Sequence, residues 1–379
     1  MPSINGGTFF AANNVTTAEN VIHNHHGETG INILHRAVAL DALYDSADSF
    51  PQPRCHPETR TKMLDDLYNW TVGEGSESVL PIRWLHGPAG AGKSAIMHTL
   101  CQRLKNAGHL GGAFFFKRHH PTRGNAKVLF ATLAYQLALN NRQLKPSISQ
   151  QVEDDPSVVG RRLDIQLHNL IIEPCKYLKD SPPPILLIDG LDECETHGAQ
   201  VEILRRIANT VGPHPITFRL LIASRPEAHI REIFDGPSFH GTLVSTNVEQ
   251  SFQDVATYFR DEFARIHREH RDTMGNVPTV WPSPDSLESL VRKSSGYFVY
   301  ASTVIKFIDD HYYRPTERLA AVLNITTTDS DAPFAALDEL YKQITSMVPT
   351  RVRSKLGDIL QCVVGGFLPL VRPLDIEQL

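Results

Sequence analysis

Cysteine is scarce in this chain and is never paired at close spacing. The 379 residues contain five cysteines, and no two of them form a C-x-x-C pair. Disulfide-rich secreted domains and zinc-binding modules both need such a framework. The N-terminus also lacks a basic segment followed by an apolar one, so no secretory signal is visible. We therefore expect a reduced protein of the cytoplasm.

Long apolar runs and an excess of positive charge are also missing. The formal net charge is −5, which argues against a protein that binds nucleic acid broadly or sits on acidic membranes. The segment ILQCVVGGFLPLV is too short to span a bilayer and contains Gly and Pro. Lys117, Arg118 and Arg123 follow an aromatic run, a pattern we interpret as a core strand and a basic loop. We expect no nucleic-acid partner and no membrane insertion.

Histidine is plentiful, but its spacing does not indicate a metal centre. The 18 histidines include a run at His23, His25 and His26 and the pair His119 and His120. No carboxylate or cysteine falls at ligand spacing beside them, so we interpret them as solvated loop residues.

A glycine-rich loop is the most informative feature that is present. Residues Gly87 to Ser94, GPAGAGKS, match the pattern G-x-x-x-x-G-K-[ST]. An apolar run precedes the loop, and SAIMHTLCQRL after it has helical spacing. Such a loop points backbone N–H groups and a helix N-terminus at one anion. The predicted nucleotide-binding residues are Gly87, Pro88, Ala89, Gly90, Ala91, Gly92, Lys93, Ser94 and Ala95.

A second motif, PPILLIDGLDEC, supplies carboxylates after an aliphatic run. Lys93 would contribute positive charge to the β- and γ-phosphates, while Ser94 and Asp189 would hold a hydrated Mg²⁺. A further acid just past the strand could orient or deprotonate an attacking water. Glu193 is the first choice for that role and Asp192 the second.

A third motif, LLIASRPE, places an arginine just after an apolar run. Arg225 would emerge at the same edge of the sheet, where a guanidinium can bind a γ-phosphate. We interpret Arg225 as a phosphate sensor. A surface residue or a salt-bridge partner is the alternative.

Composition and periodicity divide the chain into five parts. An Asn- and Gly-rich segment over 1–30 precedes a helical lead-in over 31–78, in which ILHRAVALDALYDSA is predicted as helical. Residues 79–248 alternate continuous apolar runs with helical stretches, which predicts a parallel sheet covered by helices on both faces. A helical region over 249–328 and a final part over 329–379 follow. The fold class is α/β.

The order GPAGAGKS, FFFKR, ATLAYQLA, ILLIDGLDEC, LLIASRPE resembles the NACHT domain of fungal signal-transducing NTPases related to NOD-like receptors, members of the STAND class. The resemblance covers roughly Leu80 to Phe307. It implies a P-loop NTPase sheet of order 5-1-4-3-2, a helical bundle, and a winged helix whose start would be 329–379, here cut short. It also implies a switch that is closed with ADP and that opens and oligomerises with ATP, in non-self recognition or cell-death signalling.

The chain departs from this family at one contact. Related receptors often have Gly-x-Pro touching the nucleotide base, whereas this chain has Gly296, Tyr297 and Phe298.

Three functions are compatible with these motifs. The first is an ATP-binding signalling switch with slow Mg²⁺-dependent hydrolysis that self-associates and acts on an unknown signalling protein. The second is a nucleotide-binding scaffold without turnover. The third, a mechanochemical ATPase on nucleic acid, calls for basic tracks and stacking aromatics that the composition does not supply.

Overall fold

The computed structural model describes residues 28–73, 80–178, 182–210, 218–325 and 334–365. A five-stranded sheet forms its centre, and every neighbouring pair of strands is parallel. The strands are β1 Ile82–His86, β2 Leu110–Phe115, β3 Ile185–Asp189, β4 Arg219–Ser224 and β5 Leu243–Asn247. All five lie within residues 79–248, the part of the chain predicted to form a parallel sheet.

The order across the sheet is β2-β3-β4-β1-β5, which is the expected order 5-1-4-3-2 read from the opposite edge. Strand β3 pairs with β2 on one side and with β4 on the other, and all five of its residues are buried. An interior strand of a parallel sheet is covered on both faces, which explains why β3 is purely aliphatic up to Asp189.

Helices cover the sheet and then form a separate layer. Those preceding or flanking the strands are α1 Gly30–Ala37, α2 Thr61–Val72, α3 Lys93–Asn106, α4 Leu129–Asn140, α5 Leu144–Asp154, α6 Leu163–Leu167, α7 Glu173–Cys175, α8 His197–Ala208 and α9 Ala228–Phe234. Those after the last strand are α10 Phe252–Glu269, α11 Arg271–Met274, α12 Pro284–Lys293, α13 Phe298–Ile308, α14 Pro315–Leu323, α15 Ala335–Ser346 and α16 Thr350–Gly365.

Each face of the sheet has its own hydrophobic core. Phe114 packs into one core and its neighbour Phe115 into the other, because successive side chains of a strand point to opposite faces. A third core lies within the helical region and includes Phe259, Phe263 and Val304. The helical region therefore has apolar packing of its own.

The helical lead-in differs from its prediction. Helix α1 ends at Ala37, after which the backbone N–H of Ala39 donates to Thr132 Oγ1 at 3.1 Å. The backbone N–H of Gly30 donates to Glu153 Oε1 at 2.8 Å. These contacts hold the segment against α4 and α5, and this packing replaces the longer helix that periodicity alone predicts.

Some of the sequence predictions concern residues that lie outside the described ranges. These residues are most of the Asn- and Gly-rich segment and the end of the part predicted as a winged helix. In that last part the structure describes α15 and α16. Among the described residues, no helix is long and apolar enough to cross a membrane.

Candidate functional site

The glycine-rich loop joins β1 to α3 at the carboxyl edge of the sheet. Gly90 and Gly92 adopt left-handed backbone conformations, with φ of +73° and +94°. Such conformations favour glycine and let the loop curl around a central point. The Lys93 ammonium donates to the carbonyl oxygens of Gly87 at 2.7 Å and Pro88 at 2.9 Å. The side chain of Lys93, the first residue of α3, is therefore folded back over the glycine-rich loop.

Asp189 ends β3 directly beside this loop. Its carboxylate accepts a hydrogen bond from the Ser94 hydroxyl, while its Oδ1 is buried and has no hydrogen-bond partner. Burial raises the pKa of Asp189 to about 7, against the opposing effect of the Ser94 hydrogen bond. A buried carboxylate oxygen without a partner, next to a hydroxyl, fits a hydrated Mg²⁺, which prefers oxygen ligands. Ser94 and Asp189 are the residues that would hold it.

Asp192 and Arg225 form an ion pair at the rim of the same edge. The backbone N–H of Arg225 donates to Asp192 Oδ1 at 2.9 Å, and Arg225 Nε lies 3.2 Å from Oδ2. The Asp192 side chain is 3% exposed and that of Arg225 is 45% exposed. Both oxygens of Asp192 are thus engaged, and its visible role is to position Arg225.

Glu193 is placed differently from its neighbour. It lies in the short 3₁₀ turn Leu191–Glu193 and lines the cavity in front of Lys93 and Asp189. The backbone N–H of Arg118 donates to its Oε2 at 3.3 Å, which leaves Oε1 available. Of the two acids considered as a general base, this geometry favours Glu193.

Most of the candidate residues border one cavity of about 420 Å³, whereas Gly87, Pro88 and Ala91 of the loop are not among the residues that line it. It is within the usual size range of small-molecule sites. Sequence reasoning placed one side of it, and the other side is formed by residues that no motif indicated. These are Pro53, Arg54, Cys55, His56, Thr59, Arg60, Tyr258, Phe298, Val299 and Ser302. The loop side is charged, whereas Tyr258 and Phe298 give the far side an aromatic character that suits a planar base.

Arg60 contacts both the loop side and the far side of the cavity. Its guanidinium donates to the carbonyl oxygens of Ala91 at 3.3 Å and Glu249 at 2.8 Å, and it lies 5.7 Å from the Phe298 ring centroid. Its backbone N–H donates to Asp254 Oδ2 at 3.2 Å. One buried arginine thus connects the phosphate loop to the start of the helical region.

The basic loop after β2 is engaged within the fold. Arg123 is buried, its Nε donates to the Phe115 carbonyl at 3.1 Å, and its guanidinium pairs with Asp48 at 3.1 Å. Arg118 donates to the Asp192 carbonyl at 2.9 Å. Arg123 therefore acts in packing, whereas Arg118 is exposed and contacts the turn after β3 through one hydrogen bond to a carbonyl oxygen.

A substitution at Asp189 tests how the buried carboxyl affects stability. Because folding raises its pKa from 3.8 to about 7, its stabilising contribution is complete below pH 4 and is lost as pH rises through 7. We expect Asp189→Asn to raise the melting temperature of the ligand-free protein by roughly 5 °C at pH 8 and by much less at pH 5. Thermal melts at both pH values, with exposed Asp66→Asn as the control, measure this. A lower melting temperature at both pH values would contradict it.

One family model matches part of the chain in sequence. A family model described as "Nephrocystin 3, N-terminal" matches residues 59–225, a range that includes every candidate residue from Gly87 to Arg225. No curated protein matches the chain in sequence.

The structure is similar to two solved ones. One is C. elegans PCH-2, at 11% sequence identity and a TM-score of 0.40, covering 80% of this chain and 74% of that one. The other is Drosophila ORC bound to DNA, at 9% identity and a TM-score of 0.38, covering 84% and 70%.

The parallel sheet, the curled glycine loop between β1 and α3, and the acidic end of β3 occur together. The chain has a P-loop NTPase-like fold. The finer prediction, membership of the fungal NACHT group, remains a proposal.

Proposed function

We propose that this protein is an ATP-binding signalling switch of the NACHT type, which hydrolyses ATP slowly with Mg²⁺ and self-associates when ATP is bound. The observation that carries the proposal is that one cavity is bordered by the phosphate loop, the acidic end of β3 and the first turn of α13 from the helical region. A ligand in that cavity contacts both parts of the chain.

The loop side provides for a triphosphate. Lys93 and the N-terminus of α3 would bind the β- and γ-phosphates, and Ser94 with Asp189 would hold Mg²⁺, which supplies charge neutralisation when bound. Glu193 lines the same cavity, and there it would accept a proton from a water attacking the γ-phosphate. Arg225 is half exposed and is held at the rim of the cavity by Asp192. From the rim its guanidinium would bind the γ-phosphate.

The contact between the helical region and the loop would act as the switch. Val299 packs on the loop so closely that a Cβ at Gly90 would lie 2.4 Å from its Cγ1. A change in the loop on binding or hydrolysis therefore changes the contact with α13. A ligand shifts a conformational equilibrium only by contacting the two states differently, and this interface offers such a difference. The link to non-self recognition or cell death comes from the NACHT resemblance.

Three measurements on the purified protein test the proposal: the copurifying nucleotide, the rate of phosphate release, and the molar mass with ADP against ATP. We expect bound ADP in a monomer, slow turnover, and a larger assembly with ATP. ATP binding without turnover would favour the scaffold. Fast turnover stimulated by DNA or RNA would favour the mechanochemical ATPase.

Phe298 is predicted to contribute to the base-binding side. Its ring lines the cavity where related receptors often present a proline. We expect Phe298→Ala to weaken ATP and ADP binding alike, by roughly tenfold, because stacking on a base is worth about 1–3 kcal/mol. Titration with a fluorescent nucleotide measures this, and exposed Tyr312→Ala is the control. Equal affinity in both variants would place the base elsewhere.

A further inference from the structure

A cluster of two imidazoles and a carboxylate lies outside the nucleotide cavity. It consists of His197 at the start of α8, Glu227 in the segment after β4, and His229 in α9. Both His197 Nε2 and His229 Nδ1 lie 3.9 Å from Glu227 Oε2. The three ligand atoms are within 4.8 Å of one another, and the imidazole centroids are 4.4 Å apart.

We infer that His197, Glu227 and His229 form a binding site for a transition-metal ion, for which Zn²⁺ is the best match. Two imidazoles and one carboxylate are a ligand set that Zn²⁺ accepts, and three protein ligands leave a fourth position for water. With metal–ligand bonds of about 2.0–2.1 Å, ligand atoms around a tetrahedral ion lie roughly 3.3 Å apart. The two His–Glu distances of 3.9 Å need to shorten by about half an ångström, and the distance between the two imidazole nitrogens, at most 4.8 Å, by up to about 1.5 Å. His197 is largely exposed, so its side chain has room to make this movement.

A buried glutamine selects the tautomer of His229. Gln200 is 1% exposed, and its side-chain NH₂ donates to the carbonyl oxygens of Asp192 at 3.2 Å and Cys194 at 3.0 Å. Its Oε1 must then act as an acceptor, and it lies 2.6 Å from His229 Nε2. In the neutral imidazole the ring proton of His229 is therefore on Nε2, and the lone pair of Nδ1 is on the side of Glu227.

This arrangement is the support that metal-binding histidines usually have. A hydrogen bond from the second ring nitrogen fixes the tautomer and the orientation of the ring. No metal is needed to hold Gln200 in place, since two backbone carbonyls do so. Of the three ligands, His229 is thus already oriented before any ion binds.

An ion bound at this cluster would connect two separate segments of the chain. Glu227 follows Arg225 by two residues, and His197 belongs to a different helix. An ion would tie the segment after β4 to the start of α8, and would restrain the backbone that carries Arg225. A second cavity of about 460 Å³, lined by Arg118, His119, Glu195 and His197, borders the His197 side of the cluster and would give a water ligand access to the ion.

Zn²⁺ titration of the full chain against a chromogenic chelator tests the site. We expect one tight equivalent per chain, weakened at least tenfold in His197→Ala, His229→Ala and Glu227→Gln. Gln200→Leu should weaken Zn²⁺ binding about tenfold, because His229 would lose the hydrogen bond that orients its ring. The controls are exposed His240→Ala and the triple variant His23→Ala, His25→Ala, His26→Ala, which removes the other histidine run; both should retain the tight equivalent.

Two further readouts separate a metal site from a folding defect. Co²⁺ in place of Zn²⁺ should give visible absorption of a four- or five-coordinate ion in the wild type and not in His229→Ala. Melting curves without metal should be the same for the wild type and Glu227→Gln, which preserves side-chain volume. Equal Zn²⁺ affinity in the wild type and Glu227→Gln, or loss of the tight equivalent in the triple variant, would overturn the proposal. Neither result bears on nucleotide binding.

Discussion

Lys93→Ala is expected to lower the affinity for ATP by at least a hundredfold. Removing one partner of a buried charge pair typically costs 2–5 kcal/mol, because the other charge is left without compensation. Burial lowers the pKa of Lys93, while Asp192 and Asp189 oppose that shift and help to keep the ammonium charged. A triphosphate would meet this charge directly, so its loss should affect ATP more than any other single change in the loop.

Calorimetric titration of ATP into both proteins measures the effect. Lys105→Ala is a matched control, since Lys105 lies near the end of the same helix, is exposed, and binds Asn140. We expect its affinity to equal that of the wild type. Melting curves should show that Lys93→Ala is folded. An affinity within threefold of the wild type would mean that the phosphates are held by backbone amides alone, or at another place.

Local patterns were enough to predict the loop side of the cavity. The glycine loop, the aliphatic strand and its terminal Asp189 are contiguous segments, and their chemistry depends on neighbours close in sequence. The carboxyl ends of parallel strands share one edge, so three separate motifs could be expected to meet there. The structure brings Ser94, Asp189 and Arg225 to that edge.

The far side could not be predicted in the same way. Arg60 reaches the Ala91 carbonyl across 31 residues of sequence, and nothing in PRCHPETR distinguishes it from a surface loop. Its role depends on how the lead-in crosses the cavity, which is a matter of tertiary packing. The same holds for His197 and Glu227, which are close in space and distant in sequence.

Asp192 and Glu193 show that a sequence motif does not by itself assign a role to each of its residues. Both are acids that follow the same strand, so the sequence could rank them as candidates for the general base but could not assign them different roles. Both acids of the 3₁₀ turn Leu191–Glu193 line the cavity. The buried carboxylate of Asp192 is engaged by Arg225 through both oxygens, whereas Glu193 accepts a backbone N–H at Oε2. Their roles depend on this local geometry.

Glu193→Gln is therefore expected to retain ATP binding and to slow hydrolysis by about a hundredfold or more. General acid–base catalysis by a positioned side chain contributes about 10²- to 10⁴-fold, and an amide cannot accept the proton from the attacking water. The substitution keeps the size of the side chain and leaves Lys93, Ser94 and Asp189 unchanged. Single-turnover phosphate release with ATP already bound measures hydrolysis without a contribution from binding.

Asp192→Asn is the informative comparison because it alters the neighbouring acid. The asparagine keeps one acceptor for the Arg225 backbone N–H but loses the charge that pairs with the guanidinium. We expect a smaller loss of hydrolysis than in Glu193→Gln, because Asp192 would act through Arg225. Unchanged hydrolysis in Glu193→Gln together with a hundredfold loss in Asp192→Asn would transfer the role of base to Asp192. It would also require the Asp192–Arg225 ion pair to open when ATP binds.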